Sequence, residues 1–153
     1  MFNLRVYGLL INEQQEVLVS DELIRGNYIT KFPGGGLEFG EGSRDCLIRE
    51  FMEELDLRIE VTEHIYTTDY FQISAFNPQH QIISIYYFVK AMEPIKVQLN
   101  DSPFQFTEAQ QKRYQQKQEI ESFRFIPLNK IKADDVTLPI DKIVVELLSS
   151  KIH

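Results

Sequence analysis

One cysteine, no tryptophan and only seven glycines occur in 153 residues. The lone cysteine, Cys46, cannot close an internal disulfide, so a hydrophobic core rather than staples must hold the fold, and a reducing compartment suits it. Also missing is any apolar run near the roughly 18 residues of a membrane span. The opening MFNLRVYGLLINEQQ has neither the cationic start nor the continuous apolar centre of a secretory signal. Basic residues are scarce: 16 Lys and Arg against 23 Asp and Glu leave a net charge of −7. That is the wrong sign for gripping a nucleic-acid backbone, which needs clustered Lys and Arg. The absences together lead us to expect a cytoplasmic protein with neither a membrane nor a nucleic-acid partner. An acidic chain can still handle phosphates when a divalent cation sits between the two negative partners.

What is present fits one folded domain over residues 1–153, with a 43% hydrophobic share that includes 7 Tyr and 11 Phe. That length buries a core without further help. Residues 2–11, 16–20 and 28–32 read as strands, the last ending at Pro33. Residues 57–65 alternate apolar and polar, as a half-buried strand does, whereas 81–91 are apolar on both faces and read as a central strand. Asn77 and Pro78 give the stretch before it the chemistry of a hairpin loop. Residues 98–119 are polar, with a short helix expected where Thr107 and Gln110 stand in capping-box spacing. A strand follows over 121–128. After Pro139, Ile140, Ile143, Val144, Leu147 and Leu148 form the stripe of an amphipathic helix. Strands mixed with two or three helices in irregular order predict an α/β sandwich with a mixed sheet.

Five of the seven glycines fall in KFPGGGLEFGEG, residues 31–42. A plain turn needs fewer; so many suggest that something approaches the backbone closely. The segment runs into SRDCLIREFMEEL, residues 43–55, the clearest helix of the chain, with Ser43 as N-cap and Asp45 at the positive end of the dipole. At about 100° per residue, Glu50, Glu53 and Glu54 share one arc of that helix. Leu47, Ile48, Phe51, Met52 and Leu55 occupy the side expected to face a sheet. Carboxylates this close repel one another, and Arg49 or a hard divalent cation would offset the repulsion. A solvated acidic surface is the plainer reading of the triplet alone. Directly preceding glycines, which bring bare main chain up to the acidic face, favour an ion site.

Residues 35–57, GGLEFGEGSRDCLIREFMEELDL, resemble the signature box of the Nudix (MutT-like) hydrolases, G-x5-E-x7-R-E-U-x-E-E-x-G-U, where U is bulky and aliphatic. Gly35, Glu41, Arg49, Glu50, Glu53, Glu54 and Leu57 stand on its specified positions. Phe51 is aromatic at a U position, and Asp56 replaces the last glycine, where a helix-ending αL residue is expected at a modest cost in stability. The resemblance implies a Nudix-type α/β/α sandwich with a mixed β-sheet. It also implies a hydrolase that uses Mg²⁺ or Mn²⁺ to cleave the phosphoric anhydride (pyrophosphate) bond of a nucleoside diphosphate linked to another moiety, such as a nucleotide sugar, ADP-ribose or a nucleoside triphosphate.

By the same likeness, Glu50, Glu53 and Glu54 are metal ligands, joined by a backbone carbonyl of Gly34 or Gly35. Glu50, Glu53 and Arg49 are the catalytic set, with Glu50 the candidate general base and Arg49 orienting a neighbouring carboxylate. Some relatives take the base from outside the box, and Glu119 or Glu121 is the candidate here. Glu38 and Glu41 in the loop and the aromatic Tyr28 and Phe71 are candidate substrate-binding residues. Cys46 reads as a small packing residue, and His64 and His80 as ordinary surface histidines. Ile73 stands where subfamilies carry a proline or tyrosine mark, so the moiety linked to the nucleoside diphosphate is not specified. A catalytically silent domain that binds a nucleotide or nucleotide sugar as a sensor is the alternative, although such a binder has no need of the acid cluster. A homodimer, common among relatives, is neither required nor excluded.

Overall fold

A computed structural model describes residues 1–152 of the chain. They form three α-helices and seven strands in two sheets, within two compact units: residues 1–12 with 33–96, and 13–32 with 97 onward. Among the described residues no helix is long and apolar enough to cross a membrane.

The first unit holds β1 (Phe2–Leu10), β4 (Gly34–Gly36), α1 (Ser43–Leu55), β5 (Ile59–Thr67) and β6 (Gln81–Ala91). Its sheet runs β4-β1-β6-β5 and is mixed: β1 lies parallel to β6, and the other pairs are antiparallel. The central position expected for 81–91 is therefore observed. The part of the glycine segment read as loop supplies a short strand: Gly34, Gly35 and Gly36 pair with Tyr7, Val6 and Arg5. Alternation in β5 is broken by register shifts on either side of His64, so its apolar residues are less regularly covered than the pattern suggested.

Helix α1 presents Cys46, Leu47, Phe51 and Leu55 to the core. Ile48 and Met52, expected on that side, are exposed, so the buried stripe is narrower than the wheel implied. The fit against β1 is close: a Cβ added at Gly8 would lie 2.8 Å from the Phe51 ring. The N-cap is Gly42 rather than Ser43, and Asp45 reaches back to the Gly42 N–H at 3.3 Å, satisfying one of the donors that a helix start leaves over. Ser43 instead meets the Tyr87 hydroxyl at 2.6 Å, with the Arg44 guanidinium 4.8 Å from the same ring, so β6 grips the first turn of the helix. Asp56 ends it in the left-handed region (φ 48°, ψ 45°), as expected, its N–H bonding Met52 O at 3.0 Å.

The second unit is built on an antiparallel sheet β3-β2-β7, with β2 at Glu16–Ile24, β3 at Asn27–Lys31 and β7 at Glu119–Pro127. β2 runs four residues past its expected end, up to a tight turn at Arg25 and Gly26 whose positive φ values suit a two-residue hairpin. β7 begins two residues earlier than expected and so takes Glu119 as well as Glu121 into the strand. Buried Asp21 ties the sheet across all three strands, accepting from Arg124 Nε at 2.7 Å and from Thr30 Oγ1 at 2.6 Å. Helix α2 (Glu108–Lys117) starts at Thr107 with the anticipated reciprocal cap to Gln110. Gln110 Nε2 also donates to the Glu121 carbonyl at 2.8 Å, fastening α2 to β7. In α3 (Pro139–Ile152) Ile140, Val144, Val145 and Leu148 are buried, while Ile143 and Leu147 are only half-buried.

Candidate active site

Arg49 is the hub of the box. It grips Glu41 at two points, Nη2 to Oε1 at 2.7 Å and Nε to Oε2 at 3.0 Å, the planar fork-to-carboxylate pairing in which arginine excels. Its Nη1 donates to Glu50 Oε1 at 3.0 Å and to Glu53 Oε2 at 3.3 Å, and lies 3.7 Å from Glu38. Nη2 also donates to the Gly36 carbonyl at 3.1 Å. One cation thus gathers Glu38, Glu41, Glu50 and Glu53 and ties the helix to the glycine strand. Glu53 is the i, i+4 neighbour of Arg49 on the helix, yet Glu41 is the tighter partner, because the loop curls back to place its carboxylate flat against the guanidinium.

The electrostatics follow from this contact. The hydrogen bonds from Arg49, then the Glu38 N–H at 2.9 Å, hold the Glu41 carboxyl down at about 2, and the Arg49 guanidinium is itself made still harder to deprotonate. Glu41 therefore stays ionised at any working pH and braces the loop. Cys46 is the opposite case. Burial, followed by the neighbouring Glu41, pushes its thiol up to about 12, which excludes a thiolate nucleophile near neutrality.

Gly35 explains one glycine of the run. A Cβ there would fall 2.5 Å from Glu50 Oε1 and 2.6 Å from Oε2, so the Glu50 carboxylate occupies space that only glycine leaves open. The close approach of bare backbone to the acid helix is real at this residue. Glu50 and Glu54 are half-buried and Glu53 is exposed.

Among the described residues no three Asp, Glu, His or Cys side chains are gathered into a ready cage. Magnesium needs none, since it usually takes one or two carboxylates and completes its shell with water and substrate phosphates. The donors around Gly35, carboxylate oxygens and uncovered main chain, are the hard oxygen set that Mg²⁺ and Mn²⁺ accept, so the residues present fit such an ion.

The remaining candidates are scattered. Phe71 is exposed in the β5–β6 connection. Tyr28 is exposed on β3 in the second unit, edge-on to Phe104 at 5.0 Å between ring centroids. Glu119 is exposed at the start of β7. Glu121 is half-buried and stands opposite Glu22 of β2, and burial, then the Glu22 charge, pushes its carboxyl up to about 7. His64 bonds Thr67 at 2.7 Å and His80 meets Asn77 at 3.3 Å.

Sequence reasoning passed over the buried pair Lys31–Glu22, 3.2 Å apart, with Ser20 Oγ donating to Glu22 at 2.9 Å. The signal for it is the polar run Ser20-Asp21-Glu22 set between apolar residues of a strand that continues to Ile24.

Comparison with known proteins places this arrangement. The model of the NUDIX domain matches residues 1–147. Among solved structures, a NUDIX hydrolase from Nitrosomonas europaea superposes with a TM-score of 0.69 at 16% identity, over 99% of this chain and 90% of that one. The MutT protein from Methanosarcina mazei Go1 gives 0.67 at 17%, over 99% and 95%. An ADP-ribose pyrophosphatase from Streptococcus suis 89-1591 gives 0.58 at 14%, over 99% and 92%. At such identities the likeness is one of fold.

Proposed function

Because this chain belongs to the Nudix family, we propose that it is a divalent-metal-dependent hydrolase that cleaves the diphosphate link of a nucleoside diphosphate joined to a second moiety. The observation that carries the reading is the Arg49 hub, with Glu50 pressed against Gly35. Residues 1–153 act as a single domain, since the matched family model runs through both compact units.

Glu50, Glu53 and Glu54, with a carbonyl of Gly34 or Gly35, would hold Mg²⁺ or Mn²⁺. The bound ion supplies charge neutralisation at the phosphate oxygens and lowers the pKa of a bound water. Arg49 fixes the orientation of Glu50 and Glu53, so that the carboxylates are arranged before substrate arrives. Glu50 accepts the proton of the attacking water. Glu121 is the alternative acceptor, because a carboxyl poised near 7 suits a general base at neutral pH. Glu41 and Glu38 brace the loop through Arg49 or bind substrate through water.

Phe71 and Tyr28, both exposed aromatics, are candidates for stacking on a base or sugar. Substrates of the kinds named for solved relatives, ADP-ribose among them, are the first to try. The protein acts in the cytoplasm on small nucleotides, with no nucleic-acid or membrane partner, as a monomer or a homodimer.

The test is phosphorus NMR of ADP-ribose, a UDP-sugar and a nucleoside triphosphate with the purified chain. Release of a nucleoside monophosphate with Mg²⁺ that stops on adding EDTA is the expected result. Tight binding without turnover across the panel would replace the enzyme with a sensor.

A further inference from the structure

Charge is unevenly spread along the chain. Asp, Glu, Lys and Arg make up 25% of the residues, yet none occurs over 1–4 or over 70–89. Part of the second stretch is β6, whose central place in its sheet accounts for an apolar run. The rest, residues 70–80, connects β5 to β6, and its side chains are exposed or half-buried, where charge would ordinarily be found.

Strand pairing brings the two uncharged stretches together. Phe2 and Leu4 of β1 stand opposite Gln81 and Ile83 of β6, and from the other side of β6 Ile73 stands opposite Gln81. The Gln81 N–H donates to Met1 O at 2.9 Å and the Ile82 N–H to Gln72 O at 2.8 Å, which closes the seam. Residues opposite one another in a ladder face the same way, as do alternate residues of one strand. Phe2, Leu4, Ile73 and Ile83 therefore stand on the face that carries Val6. That is the face α1 covers, since Gly35, opposite Val6, lies against Glu50 and Gly8 lies against Phe51. The helix reaches only part of it: exposure climbs from 0% at Val6 to 40% at Leu4 and 66% at Phe2, with Ile73 at 44%. Phe76, in the same connection, is 53% exposed. The end of the sheet beyond α1 is an open apolar face without a charged side chain, and folded monomers rarely leave such a face bare.

We infer that this open end of the sheet is the surface through which two copies of the chain associate. Charge selects the occupant. Two chains of net charge −7 repel, and they can meet closely only where neither brings an acidic group. A two-fold interface sets one patch against itself, and an uncharged apolar patch is its own complement, whereas a patch of one sign is not. Absence of charge and presence of phenylalanine are also what mark the centre of a protein interface. A phosphate-bearing ligand or an anionic lipid surface finds no Lys or Arg here to hold it. Of the two assembly states open to the chain the inference selects the homodimer, and it stands whether or not the chain hydrolyses nucleotides.

Sedimentation velocity over about a hundredfold range of concentration tests it. The wild type is expected to move from the 18.0 kDa chain towards twice that mass as concentration rises. Phe2→Glu and Ile73→Glu each put a carboxylate from both copies into the seam and are expected to weaken association by about tenfold or more. Ile48→Glu, the same kind of change at an exposed apolar residue of α1, is expected to leave it unaltered. Because no ion pair between charged side chains holds this seam, added salt should tighten the dimer by screening the repulsion between two acidic chains. A wild type that stays monomeric throughout would overturn the inference, whether or not it then binds neutral vesicles or a different protein. So would a dimer that survives both Phe2→Glu and Ile73→Glu, or one that only Ile48→Glu dissociates.

Discussion

Glu121→Gln should make the protein more stable in alkali and leave it almost unchanged in acid. Glu121 stands opposite Glu22 on the β2–β7 ladder. Burial raises its carboxyl first and the Glu22 charge second; Lys31 and Arg113 oppose this, Glu119 adds to it, and the outcome is a rise from 4.5 to about 7. The folded chain thus keeps a proton that the unfolded chain releases, so stability is full below about pH 4.5, declines as pH climbs towards 7, and stays reduced above it. A gap of about 2.5 pH units, at 1.36 kcal/mol for each, corresponds to about 3 kcal/mol at pH 8.5. Glutamine keeps the shape without the charge and removes that penalty. Urea unfolding of both proteins at pH 4.5 and 8.5 is the assay. The variant should gain about 2–3 kcal/mol at the higher pH, equivalent to roughly 4–12 °C in Tm, and under about 0.5 kcal/mol at the lower. Parallel pH profiles for the two proteins, or a variant less stable at pH 8.5, would show that Glu121 is solvated or paired in a way that cancels its burial.

Gly35→Ala puts a methyl where the Glu50 carboxyl now sits, 2.5 Å away, and should lower kcat by about 10²-fold through displacement of Glu50 while the chain still melts cooperatively; an alanine variant with wild-type turnover would remove Glu50 from the reaction. Glu54→Gln, which takes away one carboxylate of the proposed ion site without changing its shape, should cost two or more orders of magnitude in kcat, read by phosphate release, with Tm little altered. Asp56→Gly relieves a left-handed residue at the end of α1 (φ 48°) and should raise stability in chemical denaturation by about 0.5–1 kcal/mol, offset in part by the extra freedom of glycine in the unfolded chain.

Where local chemistry determines structure, the sequence was readable. The reciprocal Thr107–Gln110 cap and the left-handed Asp56 are set by residues within one turn of each other, and both appear as anticipated. The box was legible for a different reason, because its spacing is long and specific, and the family match runs far beyond it. The misreadings arise where a partner distant in sequence decides the matter. Gly34–Gly36 has no side chains to declare a strand, and becomes one only because β1 lies alongside to pair with it. Ser43 would cap α1 if nothing else claimed its hydroxyl, but Tyr87 of β6 does, and the cap passes to Gly42.

The same logic governs the site itself. Helical spacing puts Glu50, Glu53 and Glu54 on one arc, of which Arg49 meets Glu50 and Glu53, yet it could not show that a loop carboxylate, Glu41, would hold Arg49 more tightly than the helix does. That difference bears on mechanism. Arg49 belongs to α1, but its fork is taken up by Glu41 of the loop, so under the proposed mechanism Glu50 and Glu53 meet a guanidinium that is already tied to the loop, and the orientation of the acidic turn depends on a loop carboxylate that helical spacing does not reveal.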